Sequence, residues 1–261
     1  LTTTIPVSFS ELAGIAALGG QLGIAADGID EFTGVVAKVG TTTDLSFEQA
    51  GTAIGRFSAL LGVPASEFEN LASSILKVGI NSVATESQIV NIATQISSMA
   101  DYAGFTADQV VGMSGALASV GAQPEISRGT LTRAFTNMSA AIGEGGEKLD
   151  GWAKLAKVSS DEFASAFGTE KFAGLFQNII QSLGDMQGSG EDANLALREL
   201  GITSVRDVPL LMRLGLAQDV VTKAFSDAES GYRENTELAD QYAQIAETTA
   251  SKLGVLANSF M

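Results

Sequence analysis

The chain has 261 residues, enough to bury a substantial core, and contains no cysteine and no histidine. Those two absences remove disulfides, thiolate nucleophiles, Ser-His-Asp triads and Cys/His zinc sites together. A formal net charge of −15, from 30 acidic and 15 basic residues, argues against nucleic-acid binding, because neutralising phosphates needs clustered Lys and Arg.

Forty-five per cent of the residues are hydrophobic, and glycine, with 29 copies, exceeds the usual ~7%. The mean hydropathy is +0.22, and small residues supply much of the apolar share, a composition that lets helices approach closely. The first residues, LTTTIPVSFS, carry no initiator Met and no signal-type apolar segment, so the sequence reads as an excerpt of a longer polypeptide. Its longest charge-free runs, 12–26, 87–100 and 109–124, fall short of the ~20 residues that span a bilayer, so no transmembrane helix is expected.

Taken in chain order, 1–7 is a Thr-rich leader ending near Pro6, and the helices follow. Serine or threonine three residues before Glu or Gln marks a capping box at Ser8/Glu11, Ser46/Gln49, Ser66/Glu69, Thr85/Gln88, Thr106/Gln109 and Ser159/Glu162. In each, the hydroxyl and the carboxylate or amide satisfy backbone N–H groups that a helix start leaves free. Stops are expected at Gly40, Gly62, Gly79, Gly104, Gly121, Gly143, Gly168, Gly188, Gly201 and Gly215, because a left-handed residue after a helix is cheapest as glycine.

Apolar stripes at i, i+3, i+4 spacing confirm the helical period. They run through Ile89, Ile92, Ala93, Ile96, Met99 and Ala103, through Leu131, Phe135, Met138 and Ile142, and through Phe172, Leu175, Phe176, Ile179, Leu183 and Met186. Most of the 13 Phe residues lie on such stripes and read as core. Gly19 with Gly23 and Gly51 with Gly55 have small-xxx-small spacing, which predicts close helix crossings. Alternation of period two never persists, so the fold class is all-α: a multi-helix array of short antiparallel helices with a long C-terminal helix.

Two glycine-rich charged seams, GEGGEKLDG at 143–151 and GSGED at 188–192, suggest a division near residue 143. A hydrophobic helical bundle over 1–143 would then precede a second helical region over 144–261. From Tyr232 to Phe260, the residues Leu238, Tyr242, Ile245, Thr249, Leu253, Leu256 and Phe260 step by fours and threes, which approximates a heptad. So narrow a stripe calls for a partner helix, and Tyr242, Ile245, Leu253, Leu256 and Phe260 are the candidate subunit interface. A long helix packing across its own domain explains the same stripe.

Chemistry is sparse. Glu144, Glu147 and Asp150 beside the single Trp152 imitate an acid pair with a stacking platform, but read better as a solvated loop. Ser74 and Lys77 spell S-x-x-K without the companion elements of penicillin-recognising enzymes. Gly188, Gly190 and Ala193 spell G-x-G-x-x-A after a helical segment, where a dinucleotide loop needs a strand. Asp27, Asp30 and Glu31 lack calcium-loop order and suit the first turn of a helix, where they complement its dipole. No catalytic residue, cofactor or metal site is assigned.

The segments NSVATESQI, AGFTADQV and ALASVGAQPEISRGTLTRAF, in that order, resemble the helical region of phage tail tape measure proteins. The resemblance extends through ELAGIAALGGQLGIA, DEFTGVVAKVGTTTDLSFEQAGTAIGRFSALLG, DEFASAF and LRELGITSVRDVPLLMRLG, nearly the whole chain. It implies a non-enzymatic structural protein of a long-tailed phage that sets tail length during assembly and is released from the tail tube at genome ejection. Implied with it are tail tube and tail tip or baseplate proteins as neighbours, assembly chaperones, homo-oligomers in the tail lumen and contact with the host envelope on ejection. The implied locations are the virion and, during assembly, the host cytoplasm. A membrane-active helical pore-former is the alternative that the hydropathy suggests and the short apolar runs oppose.

Overall fold

The computed structural model describes residues 6–189 and 192–248. Among them are fourteen α-helices and no strand: α1 Phe9–Gln21, α2 Ile29–Thr42, α3 Phe47–Leu61, α4 Phe68–Ile80, α5 Glu86–Tyr102, α6 Ala107–Ser119 and α7 Pro124–Glu144, then α8 Glu147–Ala156, α9 Ser160–Ala166, α10 Phe172–Ser189, α11 Ala193–Glu199, α12 Asp207–Leu216, α13 Gln218–Glu234 and α14 Glu237–Ala246. The fold is all-α, as the periodicity requires. No helix among the described residues is long and apolar enough to cross a membrane.

The capping boxes form where the chain enters a helix directly. Ser8 and Glu11 cap α1, Ser46 and Gln49 cap α3, and Thr85 and Gln88 exchange backbone hydrogen bonds ahead of α5. Ahead of α6, Gln109 Oε1 accepts from the Thr106 N–H, while the Thr106 hydroxyl turns to Asp108. At Ser159 only the hydroxyl half is made. Ser66/Glu69 is not a box: a 3-10 turn over Ala65–Glu67 leads into α4, and Glu69 pairs with Lys38 of α2 instead. The glycine stops divide similarly. Gly104 and Gly121 take φ of 91° and 71° as expected, whereas Gly40, Gly79, Gly143, Gly188 and Gly215 remain inside their helices, three of them at close approaches where a side chain would meet Phe47, Glu86 or the Gly184 backbone.

The described residues form two compact units, one of residues 6–90 and 227–248 and one of residues 91–189 and 192–226. The division expected near 143 falls inside the second unit, because α7 and α8, on either side of that glycine-rich turn, pack on each other.

In the first unit α2 is the central helix. Its stretch Phe32 to Ala37 is buried all round, and a helix that is apolar on every side needs neighbours on every side. These are α1, α3, α4 and α14. Two of the predicted close-packing glycines act here: a Cβ on Gly19 would lie 2.8 Å from the Phe32 ring, and one on Gly51 would lie 2.7 Å from Leu18 and 3.3 Å from Phe32. The Phe32 ring also meets Phe68 of α4 edge-on at 6.1 Å. Gly55 packs on Leu22, whereas Gly23 is a left-handed residue after α1 with open space where a side chain would be.

The second unit is organised around α10, which packs on α8, α9, α11 and α12. Phe172, Phe176, Ile179 and Leu183 of its stripe are buried, with Leu175 and Met186 half-buried at the margins. Phe105, Phe135, Phe172 and Phe176 form a cluster with ring centroids 5.3–6.3 Å apart, its contacts edge-to-face except for the tilted Phe105–Phe135 pair. Where α10 crosses α12, Gly184 and Gly215 meet backbone to backbone. A buried Asp207 at the start of α12 accepts from Thr130 at 2.9 Å and pairs with Arg133, both on α7, tying the two helices together.

Candidate interaction surface

The stretch singled out for a long amphipathic helix is broken. α13 ends at Glu234, Asn235 takes a left-handed φ of 51°, and α14 starts at Glu237, so Tyr232 and Leu238 belong to different helices. The cause is local. Asn tolerates the left-handed conformation better than most residues, and its carboxamide accepts from the Ser73 hydroxyl at 3.2 Å.

What receives this segment is the polar edge of α4. Spaced three, one and three residues apart, Asn70, Ser73, Ser74 and Lys77 share one side of that helix. Asn70 Nδ2 donates to the Tyr232 carbonyl at 2.8 Å, Ser74 Oγ donates to the Ala228 carbonyl at 2.9 Å, and Lys77 pairs with Glu234 at 2.7 Å. The Leu238 N–H donates to Ser73 Oγ at 3.2 Å, and the Tyr232 hydroxyl donates to Glu67 at 2.6 Å. Gly231 makes this possible: a Cβ there would lie 2.9 Å from both the Ser73 carbonyl oxygen and the Ser74 Cα. The seam is therefore narrow, hydrogen-bonded and specific in register. The Glu234 carboxyl is held below the usual carboxylate range by its hydrogen bond to Lys77 and that residue's charge.

On α14, Leu238 is fully buried, and the helix packs on α2 and α4 of its own unit. Tyr242 and Ile245 are half-buried, and burial pushes the Tyr242 phenol up. Leu253, Leu256 and Phe260 lie outside the described residues. Of the five candidate interface residues, the structure thus places two, side by side at i and i+3 on a short helix that is already docked.

The remaining candidates do not converge. Trp152 is 1% exposed in α8, while Glu144, Glu147 and Asp150 face solvent, with Asp150 accepting from Ser160 at 2.6 Å; ring and acids line no common cleft. Ser74 and Lys77 are committed to Ala228 and Glu234 respectively, and make no dyad. Gly188 is in the last turn of α10 and Ala193 opens α11, with Gly190 outside the described residues. Asp30 and Glu31 occupy the first turn of α2. An open depression of about 260 Å³ at α9 and the start of α10 is rimmed by Glu162, Ser165, Thr169, Glu170 and Lys171, all exposed, so it offers no desolvated pocket for chemistry.

Sequence reasoning missed two arrangements, the Asp207–Arg133–Thr130 tie and the Asn235 break. The first joins residues 74 and more positions apart and leaves no local pattern. The second had a signal in the pair Asn235–Thr236 directly after α13, a turn-forming dipeptide inside an apolar stripe.

Residues 1–196 match the family described as phage-related minor tail protein. The chain is 23% identical over 261 residues to the probable tape measure protein of Halomonas phage phiHAP-1, an alignment covering 94% of this chain and 29% of that protein. It therefore spans less than a third of the length of the curated relative it matches. No solved structure matches it. With three quarters of its length accounted for in this way, the chain belongs to the phage-related minor tail protein family.

Proposed function

We propose that this chain is a region of a tape measure protein, which lies in the lumen of a long phage tail, sets the tail's length as the tube polymerises, and leaves ahead of the DNA at ejection. The observation that carries the reading is the alignment of nearly the whole chain with a probable tape measure protein three times its length. A ruler needs reach, and the physics agrees with a fragment: at ~1.5 Å rise per residue, this piece alone spans at most roughly 390 Å as one continuous helix.

The all-helical build suits a protein that works by occupying space and touching its neighbours. Those neighbours are tail tube subunits along the lumen, tip or baseplate proteins at one end, and assembly chaperones before the tube closes, with several copies side by side. The strong acidity keeps the chain from adhering to the DNA that follows it through the tube, since like charges repel.

Cross-linking of intact virions followed by mass spectrometry tests the location. Cross-links from the lysines of this region to inward-facing residues of the tube protein are expected. Cross-links confined to the outer surface of the tail would reject a luminal ruler.

A further inference from the structure

We propose that α14 is a swappable element: by straightening at Asn235, one copy of this chain inserts its α14 into the α2–α4 groove of a second copy. This deepens the proposed side-by-side arrangement of copies and rests on that reading only for its biological setting.

Three observations carry it. The first is register. Written as a heptad, Val221, Ala228, Asn235 and Tyr242 fall at one core position and Ala224, Gly231, Leu238 and Ile245 at the other, seven residues apart without interruption. All eight are buried or half-buried. A sequence selected only for two separate helices has no reason to keep one stripe in phase across the turn between them.

The second is how little separates the bent form from the straight one. Thr236 already has right-handed helical angles, φ −109° and ψ −25°, and the Asn235 N–H already closes the last turn of α13 on the Gly231 carbonyl. Only Asn235, at φ 51°, departs from the helix. Returning that one residue to the right-handed region fuses α13 and α14, removes an unfavourable backbone conformation, and lifts α14 off its own α2 and α4.

The third is the chemistry of what is exposed. The vacated groove keeps the apolar wall that buries the Leu238 side chain, while the Leu238 N–H, which donates to Ser73 in the bent form, closes the fused helix on the Glu234 carbonyl instead. The occupant whose side chains fit that wall is another α14, since this is the helix that fills it in the bent form. Exchange then restores the apolar docked contacts and replaces the Leu238–Ser73 hydrogen bond by an intrahelical one, while relieving both hinges, the circumstance in which short connections favour swapping. Asn235 itself, at a core position of the fused helix, is of the residue type that fixes register between paired helices.

The test uses the absence of cysteine. Asn235→Ala destabilises the left-handed turn, and Asn235→Gly tolerates it; both lose the bond to Ser73, so their difference isolates the hinge. The alanine chain should associate more tightly than the glycine chain by roughly ten-fold per hinge, on the order of a hundred-fold for a pair, by sedimentation velocity. Two wild-type-hinge preparations, one labelled at Asn81→Cys and the other at Gln244→Cys, should show intermolecular energy transfer when mixed at high concentration, and this decides the matter even if the alanine chain misfolds. A folded alanine chain that sediments like the glycine chain, or mixed labels without transfer, overturns the swap. Tail-length measurements bear on the ruler and not on this hinge, so each can fail alone.

Discussion

The crossing of α10 and α12 makes a prediction whose sign is set by geometry. A Cβ placed on Gly184 would lie 2.2 Å from the Gly215 carbonyl oxygen and 2.9 Å from its carbon, against an ordinary contact of 3.4 Å or more. The obstacle is backbone, so no side chain can rotate away, and Gly184→Ala forces the helices apart by about 1.2 Å. Overpacking of this kind costs about 1–3 kcal/mol, and a rigid backbone partner argues for the upper part of that range. Alanine recovers up to ~1 kcal/mol of helix propensity, leaving a net loss of about 2 kcal/mol. The matched control is Gly174→Ala in the same helix, where nothing lies within 4 Å and only the propensity gain remains, so that change should stabilise slightly. Urea titrations followed by circular dichroism should place the two midpoints on opposite sides of the wild-type value. A Gly184→Ala chain as stable as wild type would show that the crossing yields without cost and would refute the reasoning.

Three further outcomes follow from buried groups. Phe135 touches Phe105, Phe172 and Phe176 with no exposed surface, so Phe135→Ala should destabilise the chain by about 3–5 kcal/mol in the same titration. For Asp207, burial by itself raises the carboxyl pKa, but hydrogen bonds from Arg133 and Thr130 and the charge of Arg133 outweigh it and hold the group below its ordinary value of 3.8. Its contribution is therefore complete at neutral pH and is lost as pH falls below about 4 towards the folded value, and Asp207→Asn should flatten the acid limb of the stability profile. Glu86 behaves oppositely: burial and the neighbouring Asp44 push its carboxyl above 4.5, so stability declines as pH rises through that range, and Glu86→Gln should raise the thermal midpoint at pH 7.

The fold class was legible because the sequence writes helix starts and periods locally. Ser8/Glu11 and Ser46/Gln49 sit beside the groups they cap, so nothing distant can overrule them. Ser66/Glu69 failed because Glu69 had a stronger partner in Lys38, 31 residues away, and no local pattern reveals such competition. Glycine was ambiguous for a related reason: Gly104 ends a helix, while Gly215 permits a crossing with Gly184, and both look alike in one dimension.

The candidate surface shows the same limit. The period over Leu238, Tyr242 and Ile245 was visible, but a stripe reports only that a helix needs a partner. That the described part of this one docks within its own unit depends on Ser73, Ser74 and Gly231 meeting across more than 150 residues. The turn at Asn235 depends on the same meeting.

The most direct test of the ruler is an in-frame deletion of helices α6 to α9 from the parent gene, with tail lengths measured by electron microscopy. Tails shorter in proportion to the residues removed are expected, up to ~1.5 Å for each residue if the chain is extended as helix in the tube. Tails of unchanged length would contradict a length-setting role for this region.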